Sequence, residues 1–593
     1  MRLTTSTVVR VSAALALVIA AGVGICLWPR PTAHGDWRDP ATCRTCHAAQ
    51  YAQWAETNHA LANRPVDAAQ DEATFLAAAP TLTIAKGLDG FAFPDHDARR
   101  LLQMAIGREP LVQYVSANAD GRFLVTAQAF HVQTGTWFNV FGDASPSDGA
   151  LVWNNQCAYC HMTGLHKRYD AQQDRYRTTW DRHGVGCNAC HAGMEAHVGH
   201  ARPQSTPVQP AKCTPDQPPK AMLADTCERC HARREELTAE AFQPGDSLHD
   251  HFQLELPDQP GLYYPDGQVR DEAFEGGSLL LSRMGGHGGV QCVDCHDPHT
   301  AQLRAPLAEN ALCLSCHATG KRGAVVIADP QAHSHHSPES TGNRCENCHM
   351  PVTVFMQRDP RRDHGFTTPD PLLTLELGIP NACNRCHADR DASWAQDAAQ
   401  KWYGARLETR QRRRALAVAA AMAGTADVHD ALLTLSRDED IPAWQATLAG
   451  LLTPWAREPS VTARLGELLD AAHPLVRAAA VRALAEHPDR LRLLRRRLND
   501  PVRLVRLDAA FALRDELHQQ PGLLTQTLAA EVVAWLDPSA DTAMGALRRA
   551  EWALLEKDAS GVRIHAQHAV QFAPDNAEIR REATTLLRLA APK

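Results

Sequence analysis

The sequence predicts a mainly α-helical chain, with extensive loops in its first two-thirds and an α-solenoid of helical hairpins in the rest. Three observations carry that prediction. A five-residue pattern, C-x-x-C-H, occurs eight times; the composition changes abruptly near Tyr403; and a nine-residue helical pattern recurs 29 positions apart beyond that point.

The eight copies pair Cys43 and Cys46 with His47, Cys157 and Cys160 with His161, Cys187 and Cys190 with His191, and Cys227 and Cys230 with His231. They continue with Cys292, Cys295 and His296; Cys313, Cys316 and His317; Cys345, Cys348 and His349; and Cys383, Cys386 and His387. This is the attachment sequence of c-type haem. The two thiols add across the haem vinyl groups, and the adjacent imidazole is held under the iron as proximal ligand. Structural zinc is the competing reading, since Cys292-x-x-Cys295 and Cys313-x-x-Cys316 have a four-cysteine zinc spacing. Four thiolates around zinc give no reason for histidine after every second cysteine. Histidine is 30 of 593 residues, so eight coincidences in eight are not chance. A two-residue spacer also makes a strained ring, better suited to redox exchange than to a structural disulfide. The expected cofactors are eight covalently bound haem c groups. Only Cys26 and Cys213 of the 18 cysteines lie outside the motifs, too far apart to suggest a disulfide framework.

All 18 cysteines, 24 of 30 histidines and 29 of 36 glycines precede Tyr403. Residues 36–403 are read as an octahaem cytochrome domain. Its 361 residues from Cys43 to Tyr403 leave about 45 per haem, too few for an ordinary apolar core around each one. The haems must supply much of the core, wrapped by short helices and loops. Helices are expected at the attachment motifs, as over 43–60 and 383–403, and loops over 201–220 and 253–267.

Residues 405–593 are rich in Ala, Leu and Arg at helical spacing. Val476-Arg-Ala-Ala-Ala-Val-Arg-Ala-Leu484 aligns with Val505-Arg-Leu-Asp-Ala-Ala-Phe-Ala-Leu513; Pro474 and Pro501 precede them, and a weaker copy over 444–452 follows Pro442. The pattern resembles HEAT-type repeats, and 550–589 looks more like a tetratricopeptide pair. Such a stack either caps the haem domain or offers a docking platform for proteins.

Residues 1–30 are read as a signal anchor, or else a signal peptide. Arg2 and Arg10 precede an uncharged run from Val11 to Trp28, ended by Pro29. Ile25 before Cys26 is wrong for a lipoprotein box. The expected location is the periplasm, anchored to the inner membrane. A formal charge of −8, made more negative by haem propionates, argues against nucleic acid as a partner.

Each iron has a second axial position. The haem domain offers sixteen histidines outside the motifs, enough for full bis-histidine ligation. His59 lies on an expected helix. His299, three residues after His296, is too close to bind opposite it on one haem and must reach a neighbour. Met350 after His349 suits packing better than ligation.

Longer stretches carry a resemblance. Asn155 to Leu165, Tyr169-Asp170, Thr178 to Trp180, Val185 to His191, Gly289 to His299, Cys345 to Pro351 and Pro380 to His387 resemble periplasmic multihaem cytochromes with doubled C-x-x-C-H motifs and a C-terminal helical-repeat domain. These are relatives of the tetrahaem carrier that accepts electrons from hydroxylamine oxidoreductase. The resemblance implies distal ligands at His59, His197, His299 and His364, and one among His333, His335 and His336, with His336 adopted. Where relatives often have Cys-His-Gly-Pro-Gly, this chain has Cys190-His191-Ala-Gly-Met-Glu-Ala-His197.

The expected function is electron transfer between the membrane quinone or cytochrome pool and a periplasmic redox partner. The alternative is an oxidoreductase reducing a small nitrogen or sulfur oxyanion, of the nitrite, hydroxylamine or tetrathionate type, at one open haem. No C-x-x-C-K motif occurs, which argues against a lysine-ligated active haem. The sequence names no catalytic residue. A scaffold that gathers other cytochromes on its repeats is the third reading.

Overall fold

The computed structural model describes residues 36–590 apart from 77–84, 88–89, 95–98, 143–150, 201–219, 272–273 and 288. The N-terminal apolar run with Cys26, the loop containing Cys213, and His34 and His96 therefore lie outside the described residues. Among the described residues, no helix is long and apolar enough to cross a membrane.

The attachment motifs sit on short helical turns. Examples are Pro40–Arg44, Ala158–His161, Cys292–Cys295, Ala311–His317, Cys345–His349 and Ala382–Cys386. The physical reason is in the spacing. In the first, second, third, fifth and eighth motifs the histidine N–H donates to the first cysteine's carbonyl, as from His47 to Cys43 at 2.8 Å and from His387 to Cys383 at 2.9 Å. Residues three and four apart share a helix face, so both thiols and the imidazole emerge on one side. The expected helix over 43–60 is in fact two pieces, Pro40–Arg44 and Ala48–Ala55, and that over 383–403 divides into Ala382–Cys386 and Ala392–Tyr403.

The expectation of helices and loops alone is incomplete for the first part. A seven-stranded antiparallel sheet lies between the first and second motifs. Its strands are β1 (Asn63–Pro65), β2 (Ala85–Gly87), β3 (Gly90–Pro94), β4 (Arg99–Ile106), β5 (Leu111–Ala117), β6 (Phe123–His131) and β7 (Thr136–Asn139), in the order β2-β3-β4-β5-β6-β7 with β1 also paired to β4. One face buries Leu102, Val112, Tyr114, Phe130 and Trp137. The other, with Met104, Ile106 and Val115, packs on Trp153, Ala158 and Met162 around the second motif. The sheet is thus a wall behind His161. The β5–β6 turn needs Gly121, at φ +80°, where a Cβ would lie 2.1 Å from the Tyr176 carbonyl oxygen.

The last third is helical, from Arg410–Met422 to Ala577–Leu589. Proline occupies the first turn of Pro442–Leu451, Pro459–Leu468 and Pro474–Ala483, where its missing N–H costs nothing. Pro442–Leu451 packs on Pro474–Ala483, and that on Arg503–Ala512, forming an inner row. The recurrent small residues, such as the buried Ala478, Ala479 and Ala480, permit close approach. Equivalent arginines tie successive layers. Arg477 pairs with Asp500 at 2.7 Å, and Arg506, 29 positions on, with Glu531 at 2.6 Å.

The helical part and the motif-bearing part share one core. Ala232, Leu237, Leu248, Phe252, Leu254 and Tyr263 pack in the same cluster as Trp444, Leu448, Val476, Val505 and Trp535. The fully buried Trp444 donates its indole N–H to Leu281 O at 2.9 Å, with Arg414 stacked 3.7 Å from its ring. Arg503 binds Asp250 through its backbone N–H at 2.7 Å and Glu240 through its guanidinium at 2.8 Å. Lys167 Nζ lies 2.8 Å from Asp541 Oδ2, which also accepts from the Tyr176 hydroxyl at 3.1 Å.

Candidate haem centres

A cavity of about 2220 Å³ runs through the cytochrome part. Cysteines of seven motifs line it, all but the first, together with His161, His231, His296, His317 and His349. Several imidazoles are fixed by their Nδ1 atoms. Nδ1 of His161 donates to Ala62 O at 2.8 Å, that of His317 to Val325 O at 2.8 Å, and that of His349 to Thr367 O at 3.1 Å. His231 uses a carboxylate instead, with Nδ1 3.5 Å from Glu275 Oε2. Engaging Nδ1 fixes the tautomer and presents Nε2, the arrangement a metal requires. Burial pushes the Glu275 carboxyl up, but the His231 hydrogen bond and charge outweigh it and hold the group at about 2.

Six of the motif imidazoles face a second imidazole at nearly constant separation. The ring centroids are 6.2 Å apart for His47 and His197, 6.1 Å for His231 and His59, and 6.1 Å for His191 and His299. They are 6.3 Å apart for His296 and His364, 6.1 Å for His349 and His333, and 6.3 Å for His387 and His336. Two metal–imidazole bonds of about 2.0 Å, with the centroid of each ring roughly 1.1 Å behind its nitrogen, require about 6.2 Å. The rings therefore leave the gap an iron between two axial imidazoles needs, and the residues fit the group. When bound, haem iron supplies a one-electron couple.

The five histidines implied by the resemblance, His59, His197, His299, His336 and His364, each lie across from a motif imidazole. His299 stands opposite His191 rather than its own His296. His333 is the sixth. The sequence offered it only as an alternative to His336, because the cluster His333-Ser334-His335-His336 gave no sign that two of its members face different motifs. The remaining member, His335, stacks on Trp402 at 4.6 Å. Among the described residues, no imidazole stands opposite His161 or His317.

The placement of His336 depends on Gly342, where an added Cβ would lie 2.2 Å from the His336 ring. Two guanidiniums pack beside the second and fourth motifs. Arg234 lies 4.3 Å from both the Tyr159 and Phe252 rings, and Arg229 5.2 Å from Phe242 while donating to Ala189 O at 2.8 Å. Burial pushes the Glu228 carboxyl, inside the fourth motif, up to about 8.

The thiols of different motifs also meet. Cys43 lies beside Cys187, Cys160 beside Cys230, Cys227 beside Cys292, and Cys313 beside Cys345. Cys190 neighbours Cys227 and Cys230, Cys295 neighbours Cys316, and Cys348 neighbours Cys383. The motifs thus follow one another in space in the order first, third, fourth, fifth, sixth, seventh and eighth, and the second joins at the fourth.

Residues 42–85 and 143–192 match the family model cytochrome c554 and c-prime, and residues 286–355 match the model cytochrome c3. No curated protein matches the chain. Two solved structures are similar to it. The outer cell wall cytochrome OcwA shares 18% identity, covering 76% of this chain and 98% of that one, with a TM-score of 0.43. The undecahaem cytochrome from the S-layer of Carboxydothermus ferrireducens shares 17% identity, covering 74% and 70%, with a TM-score of 0.34. The matched segments contain six of the eight attachment turns, each with its thiols and imidazole on one helix face; this chain is a multihaem c-type cytochrome, holding covalently bound haem c.

Proposed function

We propose that the chain carries eight haems, attached at the eight motifs, and works as an electron carrier on the exported side of the membrane. The observation that carries this reading is the set of six imidazole pairs separated by 6.1–6.3 Å. Iron held between two imidazoles is low-spin and has no place for substrate, which suits electron transfer. His47, His191, His231, His296, His349 and His387 would be proximal ligands, with His197, His299, His59, His364, His333 and His336 opposite them. The thiol contacts support a relay from the first motif to the eighth, with the second as a side branch. Cys46 and Cys386 at its two ends are exposed, and there a redox partner and a membrane quinol-linked or cytochrome donor would exchange electrons. Residues 1–30 would anchor the chain to the inner membrane, its body in the periplasm. The C-terminal helices are read as a HEAT- or tetratricopeptide-like solenoid whose inner row braces the relay, leaving the outer face for protein docking.

The second reading is a reductase of a small nitrogen or sulfur oxyanion. It is favoured by His161, which faces no second imidazole among the described residues.

EPR of the oxidised holoprotein, with its haem count by mass, tests the carrier. Eight haems, at least six of them low-spin, are expected. A majority of high-spin haem would overturn the reading.

A further inference from the structure

We propose that His317 is the sole protein ligand of its haem iron, so that the sixth haem, in the middle of the relay, takes a small exogenous lone-pair ligand on the opposite face. The proposal rests on the eight-haem reading above and adds a ligand site to it.

The argument is by local accounting. His317 is set up like the other proximal imidazoles, lining the cavity with Nδ1 locked on Val325 O at 2.8 Å. Every other histidine from His287 to His387 is described and engaged elsewhere. His296 faces His364, His333 faces His349 and His336 faces His387. His299 faces His191, 108 positions earlier in the chain. His335 is stacked on Trp402 at 4.6 Å, and His287 is held 3.6 Å from Asp440. The segment that could have supplied a partner ring to His317 has spent all of them.

Two further features bear on the site. Cys316 neighbours Cys295 and Cys313 neighbours Cys345, so the sixth attachment turn lies between the fifth and seventh. The segment that locks His317 is at the surface, with Val325 71% and Val326 55% exposed. Val325 and His317 line the same cavity, which therefore extends to this surface segment. An iron with one protein imidazole and an open face binds ligands of the size of carbon monoxide, nitric oxide or nitrite. Because the site is in series with its neighbours, occupancy would alter passage along the whole relay, which a side branch could not do.

The test is carbon monoxide binding to the reduced holoprotein, followed by infrared C–O bands. One band is expected to shift or disappear in His317→Ala and His317→Met and to persist in His161→Ala. Val325→Phe, a change at an exposed side chain, should shift the same band if the His317 variants fail to mature. A protein with eight haems by mass that binds no carbon monoxide, or whose bands ignore all three changes near residue 317, overturns the proposal. Fewer than eight haems would instead sink the eight-haem reading beneath it.

Discussion

Replacing Asp541 by alanine should reveal whether the helical array holds the cytochrome part together. Asp541 has no exposed side-chain surface, and its partner Lys167 is 14% exposed, so the pair sits where water cannot solvate an orphaned ammonium. The change removes the 2.8 Å ion pair and the 3.1 Å hydrogen bond from Tyr176 together. Breaking one side of a buried pair costs about 3–5 kcal/mol, because the remaining charge stays desolvated. The cost should be largely recovered in Lys167→Met/Asp541→Leu, which removes both charges at similar volume. Urea unfolding, followed both by Soret absorbance and by far-ultraviolet circular dichroism, measures the loss. Both signals should move together to lower midpoints, since the two parts share one apolar cluster. A loss below about 1 kcal/mol, or a helical signal that moves while the Soret signal stays, would refute the claim that this pair welds the two parts.

Other consequences follow from the same geometry. His333→Ala removes the ring facing His349 and should add one high-spin haem per chain by EPR, with the remaining low-spin signals unchanged. Gly342→Ala should do the same at His387, since the new methyl displaces His336; an unaltered spectrum would mean that His336 is not a ligand. Glu275→Gln takes the carboxylate from His231 Nδ1 and leaves a less basic imidazole, so one haem potential should rise in a spectroelectrochemical titration. A tenfold change in relative affinity for ferric over ferrous iron corresponds to about 59 mV. Acid should destabilise the fold through His249, whose pKa burial and then His473 lower to about 3. Its contribution is full above the ordinary value near 6.5 and drains away as pH falls toward 3, because the unfolded chain takes up the proton first. His249→Phe should therefore recover about 2 kcal/mol at pH 5 and little at pH 8.

The attachment sites were legible because their chemistry is local: two thiols and an imidazole must share a helix face, and C-x-x-C-H is the shortest way to write that. Distal histidines are harder, since what matters is where a ring stands relative to a motif far away in the chain. His299 could be assigned to a neighbour by steric exclusion from His296, but nothing near His333 and His336 indicates that each faces a different motif. The sheet was missed for another reason. β5 is buried along most of its length, and residues of β6 such as Ala127, Gln128 and Ala129 give no clean alternation, so the period-2 signal is faint. In the last third the helices were readable from spacing, whereas their partner was not. The side chains that meet the cytochrome part, Trp444, Arg503 and Asp541, look like any other residue on an apolar or charged face.

The imidazole pairs also impose an order on maturation. In the proposed ligation, His47 must wait for His197, His191 for His299, and His296 for His364, so those three haems stay half-ligated until the later segment has been made. The other three find their partners already delivered: His231 closes on His59, His349 on His333, and His387 on His336. The iron bonds thus act as stitches, some drawn forward and some back, the longest spanning 172 positions from His59 to His231. A truncation that ends before His299 would leave the third haem open however well its own attachment turn had formed, with a vacant face where the full chain would place a second imidazole.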